Sequence, residues 1–328
     1  MKHVVSVSLG SSTRNKSNEV QILGDTYKIE RVGTDGDLQK FKQKFKELDG
    51  NVNAIGIGGA DLYVAVGDTK YTFTQIDKIT KVAKKSPVLD GSGLKHTLER
   101  EAINYIQKNN ILDFKKESVL LVAAVDRYGM AQAIDEVCPN VIYGDLIFGL
   151  GLPLPVRSYK GVKILAKILL PFITKMPIQW FYPTGKKQEE RTPKFPNIFK
   201  ESTVIAGDWH YIKRYAPDDL TGKTIITQTL RKADIEWLKT TGAKQAIVTT
   251  PVIDGETFAT NVMESVLVTY LGLNPKDITE KDYLDALNKP RKKKRSFKRK
   301  ELQRFLKELQ LPKGLLVIHK KTWRYLKN

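Results

Sequence analysis

Short apolar runs bounded by glycine and polar turns alternate along the chain with segments whose apolar residues recur every three or four positions. Residues 3–9 read as an opening strand, and 19–23 with 26–32 as a hairpin around Gly24-Asp25. Leu38, Phe41, Phe45 and Leu48 predict a helix that stops before Gly50. Strand-length runs follow at 54–57, 61–66 and 71–73, then helical patterns over 75–84 and 94–108. Beyond Lys116 the strand-like runs become continuously apolar, at 119–125 and 140–148. Shorter ones follow at 203–206, 224–227 and 245–249, with helices over 129–137, 232–240 and 261–271. Unbroken apolar strands separated by helices indicate a parallel sheet covered on both faces. The expectation is two α/β domains and a tail. An N-terminal α/β substrate domain covers 1–115, a doubly wound Rossmann-like parallel sheet covers 116–272, and a basic C-terminal extension covers 273–328.

With 41% hydrophobic and 28% charged residues in 328, the chain has ample material for cores and is not of a disordered or fibrous class. Its one cysteine, Cys138, excludes an internal disulfide and a zinc site built on paired thiolates, and fits a reducing, cytoplasmic setting. The N-terminus shows no secretory pattern, and the four histidines offer no short-range metal spacing, so no bound metal is expected. The net charge of +19 is unevenly spread. Residues 289–328 hold 16 Lys/Arg against 2 Asp/Glu, a net of +14 that leaves the rest at only +5.

In parallel α/β sheets, ligands sit beyond the carboxyl ends of the strands. That rule selects the turn Ala124-Val125-Asp126-Arg127-Tyr128-Gly129, and Asp145 on the next strand, as the place to hold a dinucleotide, NAD or NADP. No G-x-G-x-x-G is present, and Gly129 alone remains of the expected glycines. Gly207, Thr227, Thr250 and Asn261 lie at later strand ends or at a helix start, where small or polar residues allow close approach of a flat ring. Candidate proton carriers are Lys95 and His96, beside Gly91-Ser92-Gly93, and His210 after a strand end. Lys95 and Glu99 stand at i,i+4 and could form a solvated pair. Ser11, Ser12 and Arg14 behind the first strand, with Gly58 and Asp90, are the candidate substrate contacts.

Gly207-Asp208-Trp209-His210, Gly222-Lys223-Thr224-Ile225-Ile226-Thr227 and Thr260-Asn261-Val262-Met263-Glu264 resemble segments of bacterial quinate/shikimate 5-dehydrogenase-like proteins. So do the opening Ser6–Arg14 stretch and Val88-Leu89-Asp90-Gly91-Ser92-Gly93-Leu94-Lys95. The similarity runs over about residues 3–272. It implies a Rossmann-type NAD(P)-dependent oxidoreductase acting on a small molecule. The residues themselves also allow a non-catalytic nucleotide- or lipid-binding protein, or a lipid-directed transferase with two α/β domains.

Two basic features suggest further partners. Lys160, Lys163 and Lys167 alternate with Val162, Ile164, Leu165, Ile168 and Leu169, ahead of Trp180-Phe181-Tyr182; such a basic amphipathic helix suits either the headgroup zone of a membrane or the covering of a sheet. The tail block 291–300 would attract an anionic membrane surface. Nucleic acid is the less favoured partner, because only Phe297 interrupts the block for stacking. The resulting expectation is a cytoplasmic protein with a peripheral place on the inner face of the membrane.

Overall fold

The computed structural model describes residues 1–22, 25–67, 69–180, 190–250, 252–253, 256–257, 259–283 and 316–319. The first half runs β1 (Lys2–Ser8), β2 (Lys16–Ile22), β3 (Asp25–Gly33), α1 (Leu38–Leu48), β4 (Ala54–Gly58), β5 (Tyr63–Val66), β6 (Thr69–Thr72), α2 (Thr74–Thr80), β7 (Val88–Leu89) and α3 (Ser92–Lys108). The second runs β8 (Val119–Leu121), α4 (Tyr128–Val137), β9 (Val141–Tyr143), α5 (Tyr159–Ile173), α6 (Pro196–Glu201), β10 (Val204–Ala206), α7 (Trp209–Tyr215), β11 (Thr224–Thr227), α8 (Lys232–Thr240) and β12 (Gln245–Val248). The hairpin strands β13 (Val252–Ile253) and β14 (Glu256–Thr257) lead to α9 (Thr260–Leu271), and β15 (Leu316–His319) comes last.

Two sheets result. The first has the order β2-β3-β1-β4-β7, parallel except for β2 at its edge. The second has the order β15-β12-β11-β10-β8-β9, with five parallel strands and β15 antiparallel beside β12. In each the chain enters at the middle and winds outward in both directions, which is the doubly wound α/β architecture that the patterning predicts. Alternate residues fill opposite faces of β1: Val4 packs with Leu94, Leu98 and Val266, while Val5 and Val7 pack with Phe41, Phe45 and Ile76. The second sheet is likewise covered on both faces, by α3 and α4 on one side and α7 and α8 on the other.

Three elements depart from the expected layout. The run 119–125 forms strand only to Leu121, and 140–148 only from Val141 to Tyr143, because each chain leaves the sheet at the carboxyl edge. Helix α9, assigned by sequence to 116–272, lies instead on the first sheet against β1 and β4. From Thr260 to Val268 every residue is buried, so its composition holds no polar stripe to show which sheet it covers. The 273–328 extension contributes β15 to the second sheet. The block 291–300 and the stripe Leu302, Phe305, Leu306 and Leu309 lie outside the described residues.

Candidate active site

The carboxyl ends of both parallel sheets face a common cleft of about 650 Å³. Strand-end turns on each side therefore deliver polar side chains to one space: Ser8, Gly58 and Asp90 from the first sheet, and Asp126, Asp208 and Gln228 from the second. Helix α3 starts at the rim and carries Lys95 into the floor. It can start there because Gly91 adopts a φ of +90°, and because a Cβ at Gly91 would fall 2.6 Å from the backbone nitrogen of Asn261 on α9.

Lys95 is 5% exposed. Its Nζ donates to Asp126 Oδ1 at 2.7 Å and lies 3.5 Å from Asp61 Oδ1. Burial opposes the ammonium charge, but Asp126 and Asp61 outweigh it and hold the pKa above the ordinary lysine value. Asp126 is correspondingly held well below the usual carboxylate range: burial opposes its charge, and Lys95 and Arg127 overcome that. Beside this pair, the Arg127 guanidinium donates to three carboxylates. These are Glu99, Asp126 Oδ2 at 3.0 Å and Asp208 Oδ2 at 2.7 Å. Asp208 Oδ2 also accepts from Gln228 Nε2 at 2.6 Å, and Oδ1 from the His210 backbone N–H at 2.8 Å. Lys95 and Glu99, expected as a solvated i,i+4 pair, are both buried and bind different partners, because α3 is covered on nearly every side.

One wall of the cleft is cationic and is built from both halves. Arg14, in the turn after β1, and Arg31, on β3, come from the first half, and His210, on α7, and Arg231, at the start of α8, from the second. Arg31 Nη2 donates to Ser8 Oγ and Nη1 to the Ser11 carbonyl, both at 3.0 Å. Burial, with Arg14 and Arg231 nearby, pulls the Arg31 pKa down to about 10. His210 is lowered chiefly by burial, with Arg14 and Arg231 adding to the effect against Asp208. Arg231 Nε also donates to Asp234 Oδ2 at 3.0 Å, and the repulsion that remains among Arg14, Arg31 and Arg231 is of the kind an anion relieves.

Of the residues selected by sequence, Arg14, Gly58, Asp90, Lys95, Asp126, Arg127, His210 and Asn261 line this cleft. Asn261 does so from the first-sheet side, with Nδ2 donating to Ser6 Oγ at 2.7 Å. Asp90 accepts from the backbone N–H groups of Leu62 at 2.7 Å and Ser92 at 2.9 Å, which fixes both neighbouring turns. The other selected residues lie elsewhere. His96 is half-buried against Tyr128 with both ring nitrogens buried and without a hydrogen-bond partner, and burial lowers its pKa to about 3, so the ring is neutral and away from the cleft. Ser11 and Ser12 sit behind the wall, the Ser12 N–H donating to Asp35 at 2.8 Å. Gly207 packs on Val122. Thr227 Oγ1 donates to Gln228 Oε1 at 2.9 Å and Thr250 Oγ1 donates to the Gln228 backbone carbonyl, so the two hold Gln228 from behind.

The turn expected to seat a pyrophosphate is filled by its own side chains. Asp145 accepts from the N–H groups of Ala124 at 3.1 Å and Val125 at 2.8 Å, and borders a separate apolar pocket of about 120 Å³ under α5. Burial pushes its carboxyl up to about 6. Gly129 serves a helix crossing: a Cβ there would fall 2.3 Å from the His96 carbonyl oxygen. Asp126 and Arg127 are held by their ion pairs. These residues do not fit a pyrophosphate at 124–129, whereas the edge formed by 207–231 is open to the cleft.

Sequence reasoning does not select Arg31, Gln228 or Arg231, and it includes Asp61 and Asp208 only within the turns that carry Gly58 and His210. Gln228 follows a parallel strand directly and Arg231 closes the same turn, the signal that found Asp126; Arg31 carries no such mark. At the cleft's base, Glu264 Oε2 accepts from the Gly91 N–H at 2.7 Å and Oε1 from the Tyr283 hydroxyl at 2.6 Å. Burial, with Asp90 adding to it, pushes Glu264 up to about 7 from 4.5. A carboxyl raised on folding stabilises the fold at low pH and loses that contribution as pH rises through 4.5 to 7. The loss is on the order of 3 kcal/mol by the size of the shift. Glu264→Gln should remove much of this slope, so that urea melts at about pH 5 and 8 differ less than in the wild type; an unchanged slope would refute the assignment.

Among the described residues, no group of three or more His, Cys, Asp or Glu could hold a metal ion, and no helix is long and apolar enough to cross a membrane. The family model described as a domain of unknown function, DUF8754, matches residues 93–298, and a second, DUF8753, matches residues 3–90. No curated protein matches the sequence. Among solved structures, the NAD-dependent malic enzyme of Thermotoga maritima is 12% identical, with a TM-score of 0.33 over 76% of this chain and 67% of that one. The malic enzyme of Entamoeba histolytica is 11% identical, with a TM-score of 0.40 over 87% of this chain and 61% of that one. A galactofuranose-binding protein is 11% identical, with a TM-score of 0.35 over 87% of this chain and 98% of that one. This chain thus spans about two thirds of those malic enzymes. Likenesses at these scores carry no functional argument.

Proposed function

The chain belongs to the DUF8754 family, whose model covers more than half of it, and from that premise we propose an enzyme that binds a hydroxylated or oxo carboxylate between its two sheets and moves a proton at that oxygen through Lys95. The observation that carries this reading is the buried ammonium of Lys95, fixed between Asp126 and Asp61 at the floor of a cleft walled by arginines from both halves. The arginines would take the carboxylate by charge-assisted hydrogen bonds. Lys95, held protonated, would donate to a carbonyl oxygen as it gains charge, or receive the proton back in the reverse direction. Asp126 fixes the ammonium's position and Arg127 fixes Asp126.

The resemblance to quinate/shikimate dehydrogenase-like proteins favours an oxidoreductase as the form of this chemistry, with NAD or NADP as hydride partner. The closed turn at 124–129 supports a second reading, an anion-binding protein without redox turnover. Incubating the full chain with quinate or shikimate and NAD⁺ or NADP⁺, followed by absorbance at about 340 nm, separates the two. Reduced cofactor forms if the oxidoreductase reading holds. Tight anion binding without reduction of either cofactor leaves the binding protein, and no binding at all removes both.

A further inference from the structure

Every strongly exposed large apolar side chain among the described residues, other than Met1, falls within 150–180. On α5 these are Ile164, Ile168 and Phe172, spaced four apart on one face, and the line continues through Met176 to Trp180. Ile168 is 57% exposed, Phe172 66% and Trp180 70%. The opposite face is held to the protein by Tyr159, Val162, Ala166 and Leu170. The apolar stripe is therefore set on a rigidly packed helix, and the loop before it adds exposed Leu152 and Leu154. Single exposed apolar residues are ordinary; a contiguous group is a contact surface.

Charge identifies the occupant. Residues 146–188 contain seven Lys/Arg and no Asp or Glu. Lys160, Lys167 and Lys175 stand exposed beside the stripe. We propose that α5 and its flanks lie in the headgroup zone of an anionic bilayer, with Ile168, Phe172 and Trp180 in the acyl boundary and the lysines on the lipid phosphates. A second copy of this chain docked on the same patch would bring the two lysine sets together, which opposes a symmetric contact. The chain's own 291–300 block carries the same sign and meets the same objection. At 15 residues the helix is too short to span the hydrocarbon core. This inference is independent of the cleft and of any reaction there.

The test is co-sedimentation of the full chain with phosphatidylcholine vesicles, with and without about 30% phosphatidylglycerol. Measurements at about 0.15 and 0.5 M NaCl separate apolar insertion, which persists, from attraction by the terminal basic block, which is screened. The wild type should bind the anionic vesicles and retain part of that binding at high salt. The double variant Ile168→Glu/Phe172→Glu, folded by its melting curve, should partition about tenfold or more weakly at high salt. A second variant, Lys160→Glu/Lys167→Glu, should weaken binding most at low salt. Equal partitioning of wild type and both variants overturns the proposal, as does absence of binding. A wild-type dimer that the apolar double variant splits, with no change in vesicle binding, also overturns it and assigns the stripe to a contact between copies.

Discussion

Replacing Arg127 with methionine should destabilise the folded chain by about 3–5 kcal/mol, the range for stranding buried charge without its partner. Arg127 is 4% exposed and is shared by Glu99, Asp126 and Asp208, which come from α3, the turn after β8 and the turn after β10. Removing it leaves Asp126 with Lys95, and Asp208 with Gln228 and the His210 backbone N–H. The loss should depend on pH. Asp126 and Asp208 are both held below their ordinary pKa, so in the wild type their contribution is present above about pH 4 and fades as pH falls through the lowered folded values. In the variant Asp208 loses the main cation that lowers it and Asp126 keeps only Lys95, so the gap between the two proteins should be wide at neutral pH and should narrow in acid. Lysine at 127 should recover only part of the loss, because a point charge cannot meet three acceptors as a guanidinium fork does. Urea melts at about pH 2.5 and 7 read this directly, and a loss under about 1 kcal/mol at pH 7 would remove Arg127 from the centre of the site.

Lys95→Met should lower kcat/KM for hydroxy-acid turnover by about a thousandfold, within the usual span for losing a positioned proton carrier. Carboxylate affinity should fall less, since the arginines of the wall remain. Stability also changes, because Asp126 and Asp61 lose the cation between them, and Asp126 should then take up a proton at a higher pH than in the wild type. A double variant that also carries Asp126→Asn removes that stranded charge while leaving the proton carrier absent. Recovered stability without recovered turnover separates the two roles of Lys95. Turnover near the wild-type rate in the single variant would contradict the proposed mechanism outright.

Much of the site follows from a simple rule about parallel strands, and its failures have physical causes. Asp126, Arg127 and His210 were legible because they follow apolar strand runs, and strand ends in this architecture converge on one edge. Asp145 obeyed the same rule but lies beyond the true end of its strand at Tyr143. From there its carboxylate bonds to the turn it was expected to leave open. Gly129 was legible as a glycine needed for close approach; the approaching atom is the His96 carbonyl oxygen. Lys95 and His96 are adjacent and sit about 100° apart on a helix covered on most sides, so periodicity could not tell which faced the cleft. Helix α9 was found as a helix and placed on the wrong sheet, because apolar residues all round it carry no direction. Arg31 reads as one of several charged residues in the second strand of a hairpin, and only the juxtaposition with Arg14 and Arg231 distinguishes it.

The most direct measurement of the cleft's role is titration calorimetry of the full chain with quinate, with inorganic phosphate in parallel, for the wild type and for Arg31→Gln and Arg231→Gln. These two arginines stand in opposite halves, so both variants test whether one anion is held across the gap. The wild type should bind, with affinity falling as salt is raised. Each variant should bind about tenfold or more weakly, as losing one charge-assisted hydrogen bond implies. Quinate and phosphate heats indistinguishable among all three proteins, or absent from all three, would contradict the account.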